Sequence, residues 1–371
     1  MKFTINRKEF VDAFGVGSSM AGKTKVLAVL DNAKVVIKGN SALVTSNSTQ
    51  CSITKKVGLI DSDGDIEFLV SPNDLLKALK SLRDNELTIE VSSTTLRIEH
   101  KRGRMELTTF DAVDYPMMDK VESDNVYTID SERLFGWLNK ARDFASTDEL
   151  RPIMCGMLLY AKDGVIGACA TDTRILFADS YDAETMGNIE CVIPSSAFSA
   201  LQSILNGTSE VQVTMNDRNI SFKTVDARLT CQLQVGRFPD FNRVIPQGNT
   251  ISMNVGKTDI LDAVNRVGLF ADKSHSLVKM DIQGMTCRLS GSDMTFGKSA
   301  TDECMCEHSG DDIKIGVSAE YLVKCINHLA DSDVEMTFSG PSRPILFKDK
   351  ANERMKMLMM PMTLNDSRLD S

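Results

Sequence analysis

An α+β protein of three like domains is predicted by three observations. A strand-to-helix unit recurs at one fixed step, a second such unit recurs at nearly the same step, and alternating apolar and polar runs fill the rest of each third. The first unit is Phe3-Thr4-Ile5-Asn6 followed by the amphipathic run Lys8 to Phe14. It returns as Tyr127-Thr128-Ile129-Asp130 before Arg133 to Leu138, and as Ile251-Ser252-Met253-Asn254 before Asp259 to Val264. The copies begin at residues 3, 127 and 251, a spacing of one ordinary domain.

The second unit reads Phe68-Leu69-Val70-Ser71-Pro72 and then Leu75 to Leu79. It recurs as Val192-Ile193-Pro194-Ser195 before Phe198 to Leu201, and as Ile315-Gly316-Val317-Ser318 before Tyr321 to Ile326. In each copy a β-rich run ends at Ser or Pro, which starts a helix well, and an apolar stripe at helical spacing follows. Runs such as Leu87 to Val91, Val211 to Thr214 and Val334 to Phe338 alternate like strands, with turns at Asp63-Gly64, Asp163-Gly164 and Asn206-Gly207. Each third therefore carries two helices packed on β-sheet. The boundaries expected are 1–121, 122–247 and 248–364, with a polar tail over 365–371.

Composition narrows the function. The chain has 371 residues, 42% hydrophobic and 25% charged, with no apolar run long enough to cross a membrane and no signal-peptide pattern at its start. That reading places it in the cytoplasm. Nine scattered cysteines without framework spacing read as reduced thiols. A net charge of -9 argues against binding nucleic acid by bulk charge.

Several motifs fail on context. Gly17-Ser18-Ser19-Met20-Ala21-Gly22-Lys23-Thr24 matches the phosphate-cradling pattern, but a helix precedes it and β-like sequence follows, the reverse of what a P-loop needs. Asp61-x-Asp63-x-Asp65 opens like a calcium loop, yet Ile66 and Pro72 occupy the positions of the required Gly and Glu. Cys304-Met305-Cys306-Glu307-His308 lacks a second ligand pair. No nucleophile elbow or Ser/His/Asp context is present. Neither a catalytic residue, a metal site nor a cofactor is expected.

Three like domains permit a ring. If helices line its hole at roughly 10 Å spacing, six leave about 9 Å free and twelve leave about 28 Å. Duplex DNA is roughly 20 Å wide, so two chains joined head to tail are needed. Basic residues on helix faces fit such a hole: Lys77, Lys80 and Arg83 in the first third, Arg133 and Lys140 in the second, Arg266 in the third. Lys23 and Lys25 in a Gly-containing loop and Arg151 complete the DNA-facing set.

Particular strings then carry a resemblance. Met1-Lys2-Phe3-Thr4, Arg151 to Leu158, Ala170-Thr171-Asp172-Thr173-Arg174, Gly236 to Pro246 and Met360-Pro361-Met362-Thr363-Leu364 resemble the bacterial DNA sliding clamps, the beta subunits of DNA polymerase III, over nearly the whole chain. The resemblance implies a homodimeric ring with helices inside and sheet outside, encircling double-stranded DNA without regard to sequence. A clamp loader would open it, and replicative polymerase and repair proteins would dock through short linear peptides. It also implies a peptide pocket of Met154, Leu176, Pro239, Val244, Leu358, Met360, Pro361 and Met362, with Thr363 and Leu364 alongside, framed by Thr171 and Arg243 and bordered by Tyr321. The dimer seam would use an edge strand at Arg104, Met105 and Leu107 against the third domain of the other copy, with Leu269 and Phe270 as apolar contacts.

Three departures stand out. Thr173-Arg174-Ile175 replaces the family's small residue and His-Arg pair, His275 replaces an apolar pocket residue, and the chain continues past Leu364 into a tail expected to overhang the pocket. Two alternatives remain: a clamp-like scaffold that does not encircle DNA, and a P-loop nucleotide hydrolase.

Overall fold

Each third opens on a strand that runs straight into a helix, and the junctions share one hydrogen-bonding scheme. The computed structural model describes residues 1–18, 20, 27–122, 126–183 and 188–364. Strands Lys2–Asn6, Val126–Asp130 and Ile251–Gly256 lead into α1 (Arg7–Ser18), α3 (Ser131–Phe144) and α5 (Lys257–Gly268). The second helices are α2 (Pro72–Ser81), α4 (Phe198–Leu205) and α6 (Ala319–Asn327). Asn6 and Asp130 cap their helices, accepting from the Lys8 N–H at 2.9 Å and the Arg133 N–H at 2.7 Å. Ser71 caps α2 by accepting from the Asp74 N–H, with Pro72 at the first helical position.

The first helical N–H of each copy donates to a carbonyl just before the strand that follows the second helix: Arg7 to Asn85, Ser131 to Ser209 and Lys257 to Ser332. Those following strands, Glu86–Val91, Glu210–Met215 and Asp333–Phe338, each pair antiparallel with the opening strand of their own third. The repeat is therefore one of backbone pairing as well as of pattern.

By its contacts the chain divides into two units, Met1–Leu138 with Ile193–Gln234, and Asn139–Val192 with Val235–Ser371. The division does not follow the repeats, because sheet pairing carries the middle third into both neighbours. In the first unit Ala227–Gln232 pairs with Cys51–Gly58, continuing a 13-stranded sheet. In the second, Ile175–Asp182 pairs with Lys356–Met359 within a 12-stranded sheet.

The first unit's core packs Phe3, Phe10, Phe14, Leu75, Leu79 and Ile89 with their neighbours. The Phe10 and Phe14 rings meet edge to face at 4.9 Å, a geometry worth ~1 kcal/mol beyond burial. Gly17 lies in the last turn of α1, where a Cβ would collide with the Ser46 side chain. That glycine allows helix and sheet to approach, and the start of the phosphate-like motif is a helix end. Past Ser18 the rest of that motif, including Lys23, lies outside the described residues apart from the buried Met20, as do Lys25 and the 365–371 tail. All nine cysteines are free thiols, and all but Cys155 are buried.

Candidate functional site

In the second unit, the antiparallel seam between Ile175–Asp182 and Lys356–Met359 sets Leu176 opposite Leu358. Both are buried and share a core cluster with Leu158, Cys169 and Phe238. Around them a cavity of about 180 Å³ is lined by Met154, Thr171, Thr173, Arg174, Ile175, Leu176, Pro239, Asp240, Phe241, Val244, Leu358 and Met360. Stretches nearly two hundred residues apart in sequence thus form one apolar concavity with a few polar groups at its rim, the usual build of a ligand site.

Each wall has a local cause. Asp172 Oδ1 accepts from the Arg174 and Ile175 N–H groups at 2.8 Å, while the Thr171 hydroxyl donates to the Ile175 carbonyl at 2.7 Å. This Asx turn delivers Arg174 to the rim and Leu176 to the floor. The Met360 N–H donates to the Arg174 carbonyl at 2.7 Å, joining the C-terminal strand to the turn. On the other side Pro239 and Asp240 precede the short 3-10 helix Phe241–Val244, whose Asn242 N–H is accepted by Asp240. Met154 ends another 3-10 turn, its carbonyl accepting the Ser146 N–H.

The turn is strained. Thr173 sits at φ 81°, the left-handed region that a β-branched residue avoids at a cost of about 1–3 kcal/mol. This gives a physical reason for a small residue at that position. Thr173→Gly is expected to raise stability by about 1 kcal/mol, the released strain exceeding the entropy glycine loses on folding. A lower denaturation midpoint in urea would contradict this.

Several expected pocket residues lie elsewhere. Arg243 is not part of the lining; its guanidinium is held 3.0 Å from Asp240, and Asp240 takes the place at the wall. Pro361, Met362, Thr363 and Leu364 line a separate depression of about 450 Å³ with Lys314 and Gly316, because the Met362 N–H donates to the Gly316 carbonyl at 2.8 Å. His275 is exposed in a turn and bonded to Asp272. Tyr321 lies outside the cavity but reaches its rim through Asp172; burial first, then that carboxylate, pushes its phenol up to about 12. Asp240 and Phe241 were missed although they stand inside the Phe238-Pro239-Asp240-Phe241 string, since neither residue type marks a pocket wall.

Several of the expected DNA-facing residues carry ion pairs. Lys77 pairs with Asp74 at 3.5 Å and Arg151 with Asp148 at 3.0 Å. Arg266 is bonded to Asp302 at 2.5 Å. Lys140 is half-buried, its ammonium 5.8 Å from the centre of the Phe177 ring. Lys80 and Arg83 are exposed beside α2, and Arg133 is exposed on α3. Asp74 and Asp148 are local partners three residues away, whereas Asp302 reaches Arg266 from another strand, a partner that helical spacing does not show.

At the expected seam, Gly103–Phe110 pairs along residues 103–108 with Thr95–His100 on one side. Its other side pairs only at Thr109 and Phe110. Arg104 is exposed, while Met105 and Leu107 are half-buried against the unit's own core. Leu269 and Phe270, at the end of α5, are 78% and 39% exposed.

Three like α+β repeats continued into one another by sheet pairing, with an apolar pocket at the second seam, define a tandem-repeat protein. Family models for the N-terminal, central and C-terminal domains of the DNA polymerase III beta subunit match residues 1–119, 128–240 and 242–363. The chain belongs to that family, the bacterial sliding clamps. The beta sliding clamp of Rickettsia bellii is 24% identical, covering 97% of this chain and 99% of its own length. That of Bacillus subtilis is 22% identical over 97% and 99%. Among solved structures, a DNA polymerase sliding clamp from Pseudomonas aeruginosa superposes with a TM-score of 0.92 at 22% identity, covering 98% of this chain and all of that one. The beta subunit from Thermotoga maritima gives 0.92 at 20% identity, covering 98% and 99%.

Proposed function

We propose that two copies of this chain close head to tail into a ring around duplex DNA and act, without catalysis, as a processivity factor. The observation that carries this reading is the seam pattern. In the first seam Cys51–Gly58 of one repeat pairs with Ala227–Gln232 of the next, Cys51 opposite Cys231. In the second, Ile175–Asp182 pairs with Lys356–Met359, Ile175 opposite Met359. The corresponding strand of the third repeat is Lys298–Ser309. Among the described residues its 298–305 segment is paired on one side only, and so is the 103–108 segment of the first repeat. Such edges are templates for another chain. Carried forward, the pattern sets the 298–305 edge of one copy against the 103–108 edge of the other. Two seams of this kind pair both of these edges in each copy, as a closed two-fold assembly requires.

The pocket at Leu176 and Leu358 is the docking site for short linear peptides of the replicative polymerase, repair proteins and clamp loader. Its size and apolar floor support that assignment. The DNA-facing cations are Lys77, Lys80, Arg83, Arg133, Lys140, Arg151 and Arg266; Lys23 and Lys25, expected in the same set, lie outside the described residues. A ring needs little phosphate affinity, since topology retains it, and that reconciles DNA binding with a net charge of -9. Among the described residues no helix is long and apolar enough to cross a membrane, and replication assigns the protein to the cytoplasm.

Loading onto a nicked circular plasmid with a cognate clamp loader tests the reading. Retention on the circle with rapid loss after a single linearising cut is the expected outcome. Failure to be retained by the circle with an active loader would favour a scaffold that does not encircle DNA. Equal retention on both forms would mean ordinary charge-driven binding.

A further inference from the structure

The first seam bears its own depression, and its chemistry differs from that of the second. A cavity of about 640 Å³ lies over the pairing of Cys51–Gly58 with Ala227–Gln232, walled on one side by Met117 to Lys120. Its floor is Ser52 opposite Thr230. Counting by the repeat, these two stand where Leu176 and Leu358 form the apolar floor of the other pocket. The Tyr115-Pro116 step before its wall matches Phe238-Pro239. The fold thus builds the same concavity twice, and side chains make one copy apolar and the other polar.

The rim of this second concavity is cationic. Lys56, Lys120, Lys223 and Arg228 all line it. Lys223 and Arg228 are directly opposite each other on paired strands, a placement of like charges that weakens a sheet. Among the described residues no carboxylate is bonded to any of these four side chains. Of the two acids in the lining, Asp226 is already held by Lys55 at 3.3 Å. Apolar groups interleave the charges: Leu43, Met117 and Val225 are exposed at the same rim.

We propose that this depression docks a second class of partner segment, an acidic linear peptide whose carboxylates meet Lys56, Lys120, Lys223 and Arg228 and whose aliphatic side chains cover Leu43 and Met117. Charge complementarity selects the occupant: an uncompensated opposed Lys–Arg pair is relieved by an anion. A peptide is favoured over single-stranded nucleic acid because no aromatic side chain lines the cavity to stack a base. The inference does not depend on ring closure, since every residue involved lies in the first unit.

Fluorescence anisotropy with a labelled peptide of glutamate and leucine residues tests it, the glutamine-for-glutamate peptide and a labelled oligothymidylate serving as comparisons. Saturable binding of the acidic peptide is expected, weakening as salt is raised and falling about tenfold or more in a Lys223→Glu/Arg228→Glu variant. Both side chains are exposed, so the variant should unfold at the wild-type temperature; Lys223→Gln/Arg228→Gln, which adds no new charge, provides a milder check. A Val244→Asp variant in the apolar pocket should bind the acidic peptide unchanged. Absence of saturable binding, affinity indifferent to the charge substitutions, equal binding of the neutral peptide, or preference for the oligothymidylate would each overturn the proposal.

Discussion

Aspartate at both Leu269 and Phe270 is expected to convert the dimer into monomers, weakening self-association by about a thousandfold or more, ~4 kcal/mol. The two residues follow α5, which packs on Lys298–Ser309, the strand whose outer edge awaits a partner. They are 78% and 39% exposed in the single chain, and burying each such side chain is worth ~1.5–3 kcal/mol. A two-fold assembly loses each contact twice. A buried, unpaired carboxylate adds a desolvation cost of several kcal/mol. Stability of the monomer itself should change little, because substitutions at exposed positions usually fall within ~0.5 kcal/mol. Sedimentation velocity across a dilution series reads the association directly. A variant that remains dimeric at the dilution where the wild type begins to dissociate would move the seam elsewhere. Loss of the dimer with loss of retention on circular DNA would tie closure to function.

The second large effect belongs to the apolar pocket. Val244→Asp with Met360→Asp is expected to weaken binding of a cognate polymerase's docking peptide by about a hundredfold, ~2.7 kcal/mol, while leaving dimerisation intact. Both residues line the cavity yet are 48% and 42% exposed, so charge can be introduced at the rim without burying it in the core. The peptide's apolar anchors would then meet two carboxylates where they now meet aliphatic and thioether groups. Isothermal titration calorimetry measures the loss, and primer extension on a long template should fall from processive to distributive synthesis with the ring still on the DNA. Unchanged affinity would place the peptide outside this cavity. The neighbouring depression that holds Met362 and Leu364 would then be the next surface to probe.

The sequence by itself determined the repeat, the six helices and the alternation of the strands, because these depend on periodicity and on caps such as Asn6, Asp130 and Ser71 that act within a few residues of themselves. It also marked part of the pocket lining, since Met154, Thr171, Thr173, Arg174, Pro239, Val244 and Met360 lie in distinctive strings. The tertiary structure decided what meets across long separations. Pairing of Ile175–Asp182 with Lys356–Met359 is what sets Leu176 beside Leu358. The turn that bonds Met362 to Gly316 is what removes Pro361 to Leu364 from that cavity. Helical spacing showed Arg266 as a free cation and could not show Asp302, 36 residues on, at its side. Nor did it reveal that one concavity is built over both seams, one floored by Leu176 and Leu358 and the other by Ser52 and Thr230. The physical reason is common to all of these. Local periodicity reports which face of an element is buried, whereas the chemistry of a concave site is set by which elements share an edge, and that depends on pairing between segments that carry no mark of each other.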